Sequence, residues 1–208
     1  MSEPVNFVCC LRSGGDFSID DVDVLGRMVS RHSTLDVNFL PITDVGVGRE
    51  LRKDYPGWWC IMEAFDIVGP VVFVGLDTVI VDSIDPLLHL ATILGGNEFV
   101  MMRPFNKNRK ISPWASGIMI WNGDWSWIHR RFVPECDIDV HYYEQAYTCD
   151  ALIESGSKVL EVQDYIDGIY SYKRHCRDKL PSDARVVLFH GQPRPKDAEA
   201  SWVKEYYV

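Results

Sequence analysis

Positive charge is scarce in this 208-residue chain: 21 Lys and Arg stand against 30 Asp and Glu, a formal net charge of -9. So acidic a chain is unsuited to broad attachment to DNA or to an anionic membrane, although a local basic pocket for a diphosphate remains open to it. Cysteine patterning is missing too. None of the six cysteines forms a C-x-x-C pair. Cys9 and Cys10 fall inside an apolar strand pattern, where a reduced thiol behaves as a small hydrophobe. No apolar stretch reaches membrane-spanning length, and the N-terminus shows no basic-then-apolar leader pattern. The expectation is a soluble, cytoplasmic protein with no membrane span. Internal repeats and low-complexity linkers are absent as well, so the length predicts one domain over 1–208.

What is present is ordinary globular composition, 47% hydrophobic and 25% charged. Asn6 to Leu11 reads as a first strand. Ser18, with Asp20, Asp21 and Asp23, starts a helix whose apolar face is Val22, Leu25, Met28 and Val29. Val37 to Leu40 reads as a strand stopped by Pro41. Trp58 to Phe65 is a short apolar helix, and Gly69-Pro70 breaks the chain after it. A short helix is predicted from Asp82 to Leu90, and further strands at Glu98 to Met102, Ser116 to Trp121, Lys158 to Val162 and Val186 to Phe189. Trp125 to Phe132 and Tyr142 to Glu154 read as helices, and the tail after Pro193 as polar with scattered aromatics. Strands alternating with helices predict an α/β fold with a central, largely parallel sheet flanked by helices.

Two places carry chemistry. Val71 to Val81 is an apolar, β-branched run interrupted by Asp77, which reads as a strand buried on both faces. An ionised carboxylate buried there is costly unless a metal or a hydrogen-bond donor receives it. Near the other end, Val186 to Phe189 runs into His190, followed by Gly191, Pro193, Arg194 and Lys196. Asp77 and His190 are expected to converge at the C-terminal ends of neighbouring strands, where open α/β sheets bind ligands.

Two families place acids at the end of such a strand. Gly75-Leu-Asp77-Thr78 with Asp82-Ser83 resembles the first motif of haloacid-dehalogenase-like phosphatases. In that alignment the nucleophile falls on Gly75, which has no carboxylate to phosphorylate. Several segments, in order, resemble the GT-A-fold glycosyltransferases of the glycogenin-like family 8 group, especially small bacterial and phage members. They are Pro56 to Trp59 with Glu63 and Phe65, the Gly69 to Val81 run as the Asp-x-Asp strand, Ser116-Gly117-Ile-Met as the strand that lines the donor sugar, Glu144-Gln145, and Phe189-His190-Gly191 to Lys196 as the closing motif. The resemblance spans about Val5 to Lys196.

It implies a single GT-A-like (Rossmann-like) domain. It also implies a glycosyltransferase that takes a sugar from a nucleotide-diphosphate donor, UDP-linked, with retention of configuration. Asp77 and His190 would hold Mn²⁺ or Mg²⁺ on the diphosphate. Leu11, Arg12 and Ser13 would meet the base and ribose, Ser116 and Gly117 the sugar, and Gly191, Arg194 and Lys196 the phosphates. Glu144 or Gln145 would orient the sugar or stabilise its cationic centre. Two departures stand out: Gly75 replaces the first acid of Asp-x-Asp, and Ile61 stands where a phosphate-binding Lys is common. They keep open a second reading, a nucleotide-sugar-binding module without turnover. The hydroxyl acceptor is a glycan, a protein or a hydroxylated phage-type DNA base, the last disfavoured by net charge. Trp58 and Trp59 read as core anchors, and Tyr142 and Tyr143 as surface. The basic stretch holding Arg103, Lys107, Arg109 and Lys110 reads as a solvated loop or as a lid over the donor.

Overall fold

Strand β1 (Val5–Leu11) runs inside the main sheet of a computed structural model that describes residues 3–106 and 112–208. Its neighbours are β2 (Val37–Thr43) and β4 (Val71–Val74), both parallel to it. Beyond β2 lies the two-residue β3 (Arg49–Glu50). On the other side come β7 (Ala115–Trp121), β6 (Glu98–Met102) and β8 (Lys158–Glu161), giving the seven-stranded order β3-β2-β1-β4-β7-β6-β8. Only β7 runs antiparallel to its neighbours. A second, three-stranded sheet holds β5 (Thr78–Ile80), β10 (Val186–Leu188) and β9 (Ile169–Ser171), in the order β5-β10-β9.

Alternating side chains feed two apolar layers, as the period of a strand requires. Phe7, Val72, Val74, Val100, Ile118 and Ile120 face α1 (Ile19–Arg31) and α2 (Asp85–Ile93). Val8, Phe73, Phe99, Met119 and Trp121 face a 3₁₀ run over Gly57–Asp66, with α3 (Trp127–Arg130) and α5 (Glu144–Glu154). Between α3 and α5 lies α4 (Pro134–His141), which buries none of its residues. Helix α1 starts where Ser18 predicts: Ser18 N–H donates to the Asp21 carboxylate at 2.7 Å, reciprocating the cap.

The largest departure from the sequence reading concerns Val71 to Val81. It is not one strand. The chain leaves the main sheet after Val74, turns through Gly75-Leu76-Asp77, and re-enters as β5 of the small sheet. Both halves are buried, so the run is uniformly apolar despite the break. Strand β2 also continues through Pro41, which sits opposite Cys9 just before β3 begins to pair, where a missing N–H is tolerated. The polar tail folds: α6 (Ser201–Tyr206) buries Trp202 and Val203, and the Trp202 indole donates to Cys176 O at 2.9 Å. Tyr207 follows, its hydroxyl donating to Asp21 at 2.7 Å.

Arg103 is anchored rather than loose. Its Nε lies 2.5 Å from Glu161, a second nitrogen pairs with Asp164, and its N–H meets Gln163 at 2.8 Å. Lys107, Arg109 and Lys110, on which the lid expectation rests, lie outside the described residues. Among the described residues, no helix is long and apolar enough to cross a membrane.

Candidate active site

The turn at Gly75–Asp77 sits at the carboxyl ends of β1, β4 and β6 and at the start of the antiparallel β7. Gly75 N–H donates to Gly117 O at 3.1 Å, tying the turn to β7. Close approach explains Gly117: a Cβ there would fall 2.6 Å from Leu188 Cδ2. Because β5 pairs antiparallel with β10, with Thr78 opposite Leu188, the residue before β5 meets the residues after β10. Phe189 N–H donates to Asp77 O at 3.0 Å, which brings His190 to Asp77. The two do converge, but through the small sheet: Asp77 stands at the entrance of β5, not at the C-terminal end of a strand beside β10.

Two cavities meet at this turn. One, of about 550 Å³, is lined by Asp77, Ser116, Gly117, Glu144, Gln145 and His190, with Phe105, Lys173 and Arg174. The other, of about 430 Å³, is lined by Leu11, Arg12, Asp16, Phe17, Trp58 and Arg194, again with Asp77. Three anticipated residues lie off both walls. Ser13 donates through its N–H and hydroxyl to Asp44, at 2.9 and 2.7 Å. Lys196 reaches Asp21 at 3.2 Å and Asp16 O at 2.5 Å, pinning the C-terminal segment to α1. Gly191, at φ +99, sits behind the wall; a Cβ there would meet Lys173 Nζ at 3.1 Å.

Electrostatics are unusual at the meeting point. Burial pushes the Asp77 carboxyl above its ordinary range, against the pull of Arg194 and His190. Burial likewise raises Glu144, against the Ser116 hydroxyl, and the charge of Asp77 adds to the rise. Ser116 organises its neighbours: its hydroxyl donates to Glu144 at 2.6 Å and its N–H to Gln145 Oε1 at 3.1 Å. His190 is depressed by burial and then by Lys173, which favours neutral imidazole. Its Nε2 lies 2.6 Å from Ser171 Oγ, Phe105 stacks on its ring, and its φ is +36, rare for a residue other than glycine.

These donors do not fit the Mn²⁺ or Mg²⁺ that the resemblance implies. Among the described residues, no three His, Cys, Asp or Glu side chains cluster to hold a metal ion. The imidazole Nε2 is engaged by Ser171. The Asp77 carboxylate faces a guanidinium, with Arg194 Nη1 3.6 Å from Oδ2.

Several site residues escaped the sequence reading. Lys173 and Arg174 lie in a single π-helical turn over Tyr172–Cys176, directly after the three-residue β9. Their only signal was a Lys-Arg-His run. Asp16 and Phe17, just before the Ser18 helix start, carried no signal of their own. Trp58 was expected in the core but is 54% exposed on a cavity wall, whereas Trp59 is 3% exposed and packed as anticipated. A 3₁₀ run turns adjacent residues to different sides, so one apolar pair divides between core and rim.

Neither a family model nor any curated protein matches the sequence. Solved structures do. Glycosyltransferase GlyE of Streptococcus pneumoniae TIGR4 superimposes with a TM-score of 0.64 at 11% identity, over 100% of this chain and 61% of that one. The chain therefore spans less than two thirds of GlyE. Galactosyltransferase LgtC, crystallised with donor and acceptor sugar analogs, gives 0.58 at 11% identity, over 96% of this chain and 93% of that one. The fold is accordingly the α/β GT-A fold of these glycosyltransferases, with a mostly parallel sheet flanked by helices.

Proposed function

We propose that this chain is a glycosyltransferase that moves a sugar from a nucleoside-diphosphate donor to a hydroxyl acceptor. The observation that carries the reading is the pair of cavities meeting at Asp77, at the carboxyl ends of the parallel strands where open α/β sheets take ligands. The smaller cavity, walled by Leu11, Arg12 and the exposed Trp58, suits a nucleoside. The larger, walled by polar Ser116, Glu144 and Gln145, suits the sugar and the incoming hydroxyl. The diphosphate would lie across the junction. LgtC was crystallised with donor and acceptor sugar analogs, which supports a sugar donor and a sugar acceptor.

In the reaction, the bond from the sugar C1 to the β-phosphate oxygen breaks and its electron pair leaves with the nucleoside diphosphate. The acceptor oxygen bonds to C1, and its proton passes to the leaving phosphate. A carboxylate near C1 stabilises the positive charge that develops there. Glu144, fixed by Ser116, and Gln145, fixed through the Ser116 N–H, hold the sugar for this role. We assign UDP as the nucleotide and retention as the outcome on the family resemblance. Tyr142 and Tyr143 stand exposed just before Glu144 and offer aromatic faces to a sugar acceptor.

The test is release of UDP from a panel of UDP-sugars, with glycan acceptors added in turn. Turnover in wild type and its loss in Glu144→Gln are expected. Tight UDP binding with no turnover on any member would move the assignment to a binding module, the reading that Gly75 favours. Failure to bind any nucleoside diphosphate would end both.

A further inference from the structure

We infer that Arg194 and Lys173 take the place of a divalent cation, so that the donor diphosphate is bound and neutralised by protein cations alone. This rests on the function proposed above. Three observations carry it. First, position 75 supplies no second acid. It is glycine, and a Cβ there would lie 2.9 Å from Asp77 Oδ1, so the Asp77 carboxylate turns toward the position where its missing partner would stand.

Second, a guanidinium is already fixed at the carboxylate. Arg194 is gripped by Asp16 through Nε at 3.0 Å and Nη2 at 2.8 Å. Its plane rests 4.7 Å from the Phe17 ring centroid. That leaves Nη1 turned to Asp77, at 3.6 Å. A divalent ion on Asp77 would sit against the positive charge held there. A phosphate oxygen there meets a preorganised donor instead.

Third, a cation approaches from the opposite side. Lys173 Nζ donates to His190 O at 2.9 Å and, with Arg174, lines the sugar-side cavity. Arg194 lines the nucleoside side. A diphosphate spanning the two cavities passes between them. When C1–O cleavage leaves the electron pair on the β-phosphate, these residues receive the charge by hydrogen bonding, and the acceptor proton goes to the phosphate. The cations are not consumed.

Calorimetry of UDP, with GDP and CDP as alternative bases, tests this in EDTA and in excess Mn²⁺. Affinities within about 3-fold of each other in the two buffers are expected. In EDTA, Arg194→Met should weaken binding by about 10-fold or more, the loss of one charge-assisted contact. Because Arg194 also anchors Asp16, its melting curve accompanies the titration. Lys173→Met, which leaves that anchor intact, should weaken binding by about 5-fold or more by the same loss. Nucleotide binding that appears only with Mn²⁺ overturns the inference and leaves the transferase standing. So does wild-type affinity in Lys173→Met. No nucleotide binding in either buffer overturns the function beneath it.

Discussion

Two carboxylate–histidine groups in this chain differ in how their hydrogen bonds are spent. In one, Asp66 Oδ2 meets His129 Nδ1 at 3.0 Å, and His129 Nε2 meets the Tyr55 hydroxyl at 3.1 Å. Arg52 pairs with Asp66, and Arg49 stands 3.7 Å away. Beside them the fully buried Glu63 accepts the Arg52 N–H at 2.9 Å and the Lys53 N–H at 2.7 Å. In the other group, Asp77 and Glu144 face a cavity with carboxyls pushed up by burial. The first group resembles a catalytic relay on paper, yet its polar atoms are satisfied by the fold itself. The second leaves oxygens turned to space that a ligand can fill. Saturation, rather than residue type, separates scaffold from site.

Glu63→Ala strikes the closed group hardest. It strips the Arg52 and Lys53 backbone N–H groups of their acceptor inside the protein, while the Arg52 guanidinium keeps Asp66. We expect a loss of about 3–5 kcal/mol, the scale for two hydrogen bonds to a charged acceptor, read by urea denaturation. UDP affinity of the folded fraction should not move. A change below about 1 kcal/mol would show that water replaces Glu63, and the group would no longer count as closed.

Glu144→Gln should do the reverse. The amide keeps an oxygen for the Ser116 hydroxyl but loses the charge. We expect turnover to fall about 100-fold, typical of removing one electrostatic contact to a transition state. Stability should move the other way. Burial raises the folded-state pKa of Glu144, so its favourable contribution is complete below the unfolded pKa and is lost as pH rises through the folded one. The variant escapes that loss. Its melting temperature should match or exceed wild type at neutral pH, and the gap should close near pH 4, around the ordinary carboxyl range. A variant that is less stable at neutral pH and equally active would place Glu144 with Glu63.

Adjacent tryptophans repeat the comparison on a smaller scale. Trp59 stacks on Phe132 with centroids 5.1 Å apart, while Trp58 stands on the wall of the smaller cavity. Trp58→Ala should weaken UDP binding by about 5- to 10-fold, the low end for loss of one base-stacking ring. Its urea midpoint should stay at wild type, since an exposed ring carries little packing. Unchanged affinity would remove Trp58 from the site.

How much of this was legible in the sequence follows from the same physics. Asp77 and His190 could be found because an apolar run that meets a polar side chain is a local signal. Glu144-Gln145 and Ser116-Gly117 could be found because they resemble a family's ordered motifs. The break inside Val71 to Val81 could not, because strands in different sheets share one apolar pattern when each is buried on both faces. Lys173 and Arg174 follow a strand of only three residues, too short for period-2 alternation to register. Helix α4 buries nothing and so shows no apolar stripe, although Pro134 and the acids after it mark its start. The bond from Asp16 to Arg194 joins the two ends of the chain, and nothing local announces it.

The mildest change is the sharpest test. Tyr55→Phe removes one oxygen from the closed group and leaves its ring against Phe132, edge to face at a centroid distance of 5.2 Å. His129 Nε2 then loses its partner, while Nδ1 keeps Asp66. The expected cost is about 0.5–1.5 kcal/mol, one neutral hydrogen bond, seen as a shift of the urea midpoint with an unchanged slope. Turnover and UDP affinity should stay within about 2-fold of wild type, since a loss that small at a saturated group has no route to the reacting atoms. A drop in turnover of about 10-fold or more, with the midpoint unmoved, would mean that the Tyr55–His129–Asp66 chain moves a proton for the reaction. The closed group would then be part of the site, and saturation would fail as the property that separates the two.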